Sequence, residues 1–220
     1  MIKKQLIIRD GYHFNSLYWR KYRLSLPALD NDLMEITIAM VLSDASLVRT
    51  SKEAQIKIEQ GYKQKEYVYH LFSLFQKYCF TLEPKTYFKN EKLKSYWFKT
   101  LSHPSFTSEK KIFYEKGKKI QNNIILSHIN ELGLSYWVMS DGSLQSDKKS
   151  MILHTQSFSL VENKILSKEL NIKFGLHSKV IPHKKKYWVI FIPSVDGKTL
   201  LSLIKPHIIP YFNYKLPVIS

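Results

Sequence analysis

The feature that most constrains this chain is a pattern that occurs twice. Thr37–Ala45 (TIAMVLSDA) and Leu134–Gly142 (LSYWVMSDG) are each an apolar run closed by one acid and one small residue. The acids, Asp44 and Asp141, are 97 positions apart. Ile58 and Thr155 show the same offset within matched strand patterns, and Lys118 and Lys215 show it again. Three equal offsets along one chain argue for an internal duplication. A helix that is apolar on nearly every side is buried on every side. A carboxylate at its C-terminal end opposes the helix dipole and calls for a compensating cation, a metal ion among the candidates.

The duplication sets the expected order of elements in both halves: helix with terminal acid, strand, helix, hairpin, helix, basic residue. In the first half, Asp32 and Glu35 have the spacing of a capping box. Ala54–Glu59 alternates like a strand with one buried face. Lys63–Phe80 has helical spacing, Thr86–Phe88 and Lys94–Thr100 read as a hairpin, and Ser108–Ile120 reads as a helix. In the second half the series is a helix over 130–141, a strand over Met151–Ser157, a helix over Leu160–Leu170, a hairpin of Lys179–Ile181 with Lys186–Ile192, and a helix near Lys198–Ile204. Residues 1–30 are basic and aromatic and read as an arm with little regular structure. The halves are then 31–120 and 128–220, joined by a linker over 121–127.

Charge narrows the partner. Thirty-four Lys and Arg oppose eighteen Asp and Glu, a formal net charge of +16. Such an excess repels itself unless a polyanion neutralises it, with nucleic acid first and an anionic membrane surface second. No strongly basic amphipathic helix favours a membrane, and no apolar run approaches the length of a span. The single cysteine, Cys79, lies in an apolar run, which excludes disulfides and cysteine-based zinc sites. It reads as a small buried hydrophobe. The chain is expected in a reducing or organellar interior, because the heavy use of Lys, Ile, Tyr, Phe and Asn fits an A+T-rich genome.

The two acid-ended stretches resemble degenerate copies of the LAGLIDADG motif of homing endonucleases, and SYWVMSDG, LHTQSFS and IKPHIIPYFNYKLP follow the order seen in the single-chain, two-motif branch of that family. The resemblance covers about residues 30–217. It departs from the family at Ala39, where Gly is favoured, and at Tyr136, which occupies the close-packing position. It implies an α+β fold of two pseudo-symmetric αββαββα half-domains, with the motif helices packed at the centre and antiparallel sheets forming a DNA-binding saddle. It also implies a monomer that makes a double-strand break in a long asymmetric DNA site, leaving 3′ overhangs, in the service of intron or intervening-sequence mobility.

The resemblance assigns catalysis to Asp44, Asp141, Lys118 and Lys215. It implies two or three Mg²⁺ shared between the two acids, with the backbone carbonyls of Ser43 and Ser140 as further ligands. Hard oxygen ligands suit that ion. Strand side chains expected on nucleic acid are Gln55, Lys57, Glu59, Lys94, Tyr96, His154, Gln156, Lys184, Lys186 and Trp188, with Lys57 and His154 also near the metal-water network. Two other functions stay open at this point. One is an RNA maturase that binds host intron RNA; the other is a DNA-binding protein without catalysis. Retention of both acids favours the nuclease. No Walker loop, GxGxxG or HExxH supports another enzyme class.

Overall fold

In the computed structural model the described residues are 11–13, 15–49, 52–114, 120–184 and 186–218. They divide into two compact units, one of residues 1–33 with 44–108 and the other of 34–43 with 109–220.

In the first unit, β1 (Ser46–Arg49), β2 (Ala54–Gly61), β3 (Lys85–Lys89) and β4 (Lys92–Lys99) form an antiparallel sheet of order β1-β2-β4-β3. Ala54, Ile56 and Ile58 alternate inward, as their period of two requires. Helix α3 (Lys65–Phe75) covers that face with Tyr67, Val68, Leu71, Phe72 and Phe75. The Phe72 and Phe98 rings meet edge to face at 5.4 Å. Cys79 is fully buried and bridges Thr100, in keeping with its expected packing role.

Residues 1–10 of the expected arm lie outside the described residues, and the part described is not irregular throughout. Residues Leu17–Ser25 form helix α1, with the Ser16 side chain accepting from the Trp19 N–H. Trp19, fully buried against Phe80 at 4.8 Å, anchors it. The aromatic residues that suggested a loose arm are therefore what pack the helix down.

In the second unit, β5 (Gly142–Leu144), β6 (Met151–Leu153), β7 (Lys179–His183) and β8 (Tyr187–Ile192) repeat the same order, β5-β6-β8-β7. Helix α7 (Leu160–Phe174) takes the place of α3, with a capping box of Ser159 and Glu162 and a left-handed Gly175 at its end. The strand expected over 151–157 stops at Leu153. Thr155 instead turns its hydroxyl onto the Asn163 side chain of α7 at 2.5 Å, with both residues fully buried.

The expected linker also carries structure. Helix α5 (Ile124–His128) overlaps it, and the buried Glu169 carboxylate accepts from the Asn123 and Ile125 N–H groups. Helix α4 (Pro104–Tyr114) begins earlier than the Ser108 expected. Strands β1 and β5 were not anticipated, since four and three residues are too few to show a period.

Candidate active site and nucleic-acid face

The first motif helix is α2 (Asn31–Leu42), and the second is α6 (Glu131–Asp141). Residues Ile36 to Leu42 are all buried, as the apolar run requires. The capping box expected of Asp32 and Glu35 does not form. Asp30 Oδ1 accepts from the Leu33 N–H instead. Glu35 reaches from α2 to the start of α6, where Oε1 accepts from Asn130 N at 2.7 Å and Gly133 N at 2.6 Å. Oε2 accepts from Asn130 Nδ2 at 3.3 Å. The open N–H groups of one motif helix are thus satisfied by a carboxylate of the other, which the helix dipole reinforces.

A close approach of the two helices falls at Gly133. A Cβ on Gly133 would lie 2.8 Å from Glu35 Cγ. Tyr136 is buried as well. Near the other end, Ser140 Oγ stands 3.5 Å from Met40 Sδ. Starts lie beside starts and ends beside ends, so α2 from Met34 onward and α6 run side by side in the same direction.

The two helix ends are built differently. Asp44 is exposed, and its Oδ2 accepts from Gln60 Nε2 at 2.9 Å. Gln60, on β2, was not anticipated; lying 16 residues from Asp44, it gives no local signal. Ser43 turns its hydroxyl back onto the Ala39 and Met40 carbonyls.

Asp141 is half-buried, and its carbonyl accepts from His154 N at 3.0 Å. The residue after it must be small, because a Cβ on Gly142 would meet the Val138 carbonyl at 2.6 Å. Lys215, expected to position water, is buried; its Nζ donates to the Val138 and Met139 carbonyls at 3.2 and 2.5 Å. It therefore caps the C-terminal end of α6 with the cation the dipole calls for. Its partner by offset, Lys118, lies outside the described residues.

His154 and Gln156 sit beyond the end of β6, not on a strand. Gln156 Nε2 donates to His154 Nδ1 at 3.1 Å, and the opposite nitrogen meets Ser143 Oγ at 2.9 Å. Burial holds the His154 pKa below the ordinary imidazole value, and the positive charges of His183, Lys215 and Lys184 add to the effect. A neutral ring with one donor and one acceptor fits this network.

The sheet register sorts the expected nucleic-acid contacts. On the face of the first sheet away from α3 lie Gln55, Lys57 and Glu59. Lys57 Nζ pairs with Glu59 at 2.7 Å and sits 5.4 Å over the Trp97 ring, so it is committed there rather than to Asp44. Ser95 Oγ also donates to Glu59, and the two donors hold that carboxyl below its usual range. Trp97 and Lys85 share this face, with Lys85 Nζ 5.0 Å over the Trp97 ring; neither was anticipated.

Tyr96 is on the opposite face, beside Tyr69 of α3, one residue out of register with Trp97. Lys94 is exposed and sits at the bulge between β3 and β4. In the second sheet, Trp188 pairs with Pro182 and alternates onto the side of Ile190 and Ile192, toward α7. Lys184 and Lys186 are exposed at the β7–β8 turn, where Lys184 takes a positive φ of 48°. Among the described residues no group of three or more His, Cys, Asp or Glu is placed to hold a metal ion. An ion that keeps its waters and completes its shell with phosphate oxygens needs only one or two carboxylates.

Two acid-ended helices packed in parallel, each followed by a four-stranded antiparallel sheet of the same order, define a duplicated nuclease scaffold. Residues 34–200 match the LAGLIDADG DNA endonuclease family, and the chain belongs to that family as a DNA endonuclease of the homing class. The chain is 52% identical over 130 residues to a probable intron-encoded DNA endonuclease 3 of Mycosarcoma maydis, covering 57% of this chain and 95% of the relative. It is 30% identical to a probable intron-encoded endonuclease 1 of Wickerhamomyces canadensis, over 98% of both chains. A cytochrome b mRNA maturase bI2 of Debaryomyces hansenii is 30% identical, over 86% of this chain and 74% of the relative. Among solved structures, the homing endonuclease I-WcaI bound to its DNA recognition sequence superposes with a TM-score of 0.88 at 29% identity, over 96% of this chain and 97% of that one. The expected α+β fold with two four-stranded antiparallel sheets is present.

Proposed function

We propose that this chain makes a site-specific double-strand break in a long, asymmetric DNA duplex, leaving 3′ overhangs with 5′ phosphates, and so moves an intron or intervening sequence. The observation that carries this reading is the pair of parallel motif helices, each delivering one acid at its C-terminal end. Asp44 and Asp141 are the carboxylates that hold Mg²⁺, one for each strand, with the backbone carbonyls of Ser43 and Ser140 as further oxygen donors. Bound there, Mg²⁺ supplies Lewis acidity toward phosphate and lowers the pKa of water. Gln60 fixes the Asp44 carboxylate by its amide. The neutral network of Ser143, His154 and Gln156 orders the polar surroundings of Asp141. Lys215 acts as a positioning residue that fixes the end of α6.

Gln55, Lys57, Glu59, Lys85 and Trp97 present donors, acceptors and one aromatic edge to duplex DNA. Lys184 and Lys186 reach phosphates from the β7–β8 turn. Two motifs in one chain supply both acids, so the active form is a monomer. The intron-encoded relatives support an organellar genome as its home.

The test is cleavage of the intronless allele of the host gene with Mg²⁺ and with EDTA, beside the Asp44→Asn, Asp141→Asn double variant. A metal-dependent break that the variant lacks is expected. Cleavage by the variant would overturn the assignment of the acids.

A further inference from the structure

Helix α6 does not cap its own first turn. Asn130, at the N-cap, makes no side-chain bond to the helix it opens. Its amide instead donates to Glu35 Oε2, while Glu35 Oε1 accepts from the Asn130 and Gly133 N–H groups. Helix α2 begins differently, with Asp30 just before it accepting from the Leu33 N–H. The residue 97 positions after Glu35 is Leu132, which has no side-chain acceptor to offer in return. At this pair of duplicated positions the capping runs one way, from α2 to α6.

The contact is tight as well as polar. Glu35 is only 9% exposed. A Cβ on Gly133 would meet Glu35 Cγ at 2.8 Å and Oε1 at 2.9 Å, so only hydrogen fits between them. At the far end of α6, Lys215 donates to the Val138 and Met139 carbonyls. Both ends of this helix therefore meet a charged group from elsewhere in the fold, an acid at the positive end of the dipole and a cation at the negative end. The 11 residues of Glu131–Asp141 are one hydrogen-bonded rod, so a shift at the first turn carries Asp141 with it.

We propose that Glu35 is a positioning residue that sets where Asp141 stands, so that its loss slows cleavage of one DNA strand and leaves a nick. The inference rests on the proposed assignment of one acid to each strand. A misplacement of about 1 Å can cost about a hundredfold in rate. Asp44 is affected less, because its helix is capped locally and its carboxylate is held by Gln60.

The experiment is single-turnover cleavage in Mg²⁺ of a duplex target labelled on both strands, at a temperature where circular dichroism shows every variant folded. Asp141→Asn first marks the strand that needs Asp141. Glu35→Ala is expected to slow that strand by roughly tenfold or more and the other by less than about threefold, so that nicked duplex accumulates at unchanged duplex affinity. Gly133→Ala, whose new Cβ displaces the Glu35 carboxylate, is expected to show the same bias. Glu35→Gln keeps an acceptor oxygen and is expected to restore both strands to within about threefold of the parent, since a neutral bond holds the same geometry less strongly. A helix cap that served stability alone would leave the ratio of the two strand rates unchanged in folded protein. Equal rates on both strands in Glu35→Ala and Gly133→Ala, or slowing confined to the strand that Asp44 serves, would overturn the inference while the parent's double-strand break upheld the cleavage reading. A parent that makes no such break would overturn both.

Discussion

The ends of α2 and α6 occupy equivalent places in a duplicated fold, yet different chemistry holds them. Asp44 is exposed and steadied by the neutral amide of Gln60. Asp141 is half-buried, and its helix is closed by the buried ammonium of Lys215. Duplication preserves one acid at each helix end, which is what the proposed reaction needs. The groups that support the acid are free to diverge, because a helix end can be steadied by a side chain on the carboxylate or by a cation on the carbonyls. The two ends should therefore respond alike when the acid is changed and differently when its support is changed.

The largest expected effect tests the likeness. Asp44→Asn and Asp141→Asn should each cost several kcal/mol of transition-state stabilisation, roughly 10³-fold in cleavage rate, with DNA binding retained. Unequal losses in a single-turnover assay would show that the acids are not equivalent. Next, Lys215→Met should lower stability by about 1–3 kcal/mol by chemical denaturation, because the Val138 and Met139 carbonyls lose the buried ammonium that donates to both. Gln60→Ala should leave stability within about 0.5 kcal/mol, as an exposed change does, and slow cleavage of one strand more than the other. A similar stability loss in both variants would erase the contrast. Glu35→Gln should cost about 2 kcal/mol, since charge-assisted bonds to two helix N–H groups are weakened.

A slower pH-dependent effect comes from Glu109, whose carboxyl is buried without a hydrogen-bond partner at Oε2 and is pushed up to about 7. Its folded pKa exceeds the unfolded value of 4.5. Its neutral form therefore suits the fold below about pH 4.5, and stability is lost as pH rises toward 7. Glu109→Gln should match the parent at pH 5 and melt higher at pH 8. Parallel melting curves at both values would remove Glu109 from the account.

The duplicated architecture was legible because both motif helices carry an apolar run closed by an acid and both hairpins alternate. What was missed has physical reasons. Glu35 reads as a local cap, since three-residue spacing cannot announce a partner 95 residues away. The contact of Lys215 with the end of α6 was not legible, since sequence does not show burial. Tyr96 and Trp97 differ by one position, and only the register decides which of them faces away from α3. Residues 1–30 looked loose because the helix depends on one tryptophan meeting Phe80, a contact beyond the reach of local pattern.

The most direct measurement is strand-resolved cleavage of an end-labelled duplex target by the Asp44→Asn and Asp141→Asn single variants in Mg²⁺. Neither variant is expected to yield the double-strand product, while both still shift the duplex in a gel. A double-strand product from either variant would contradict the assignment of one acid to each strand.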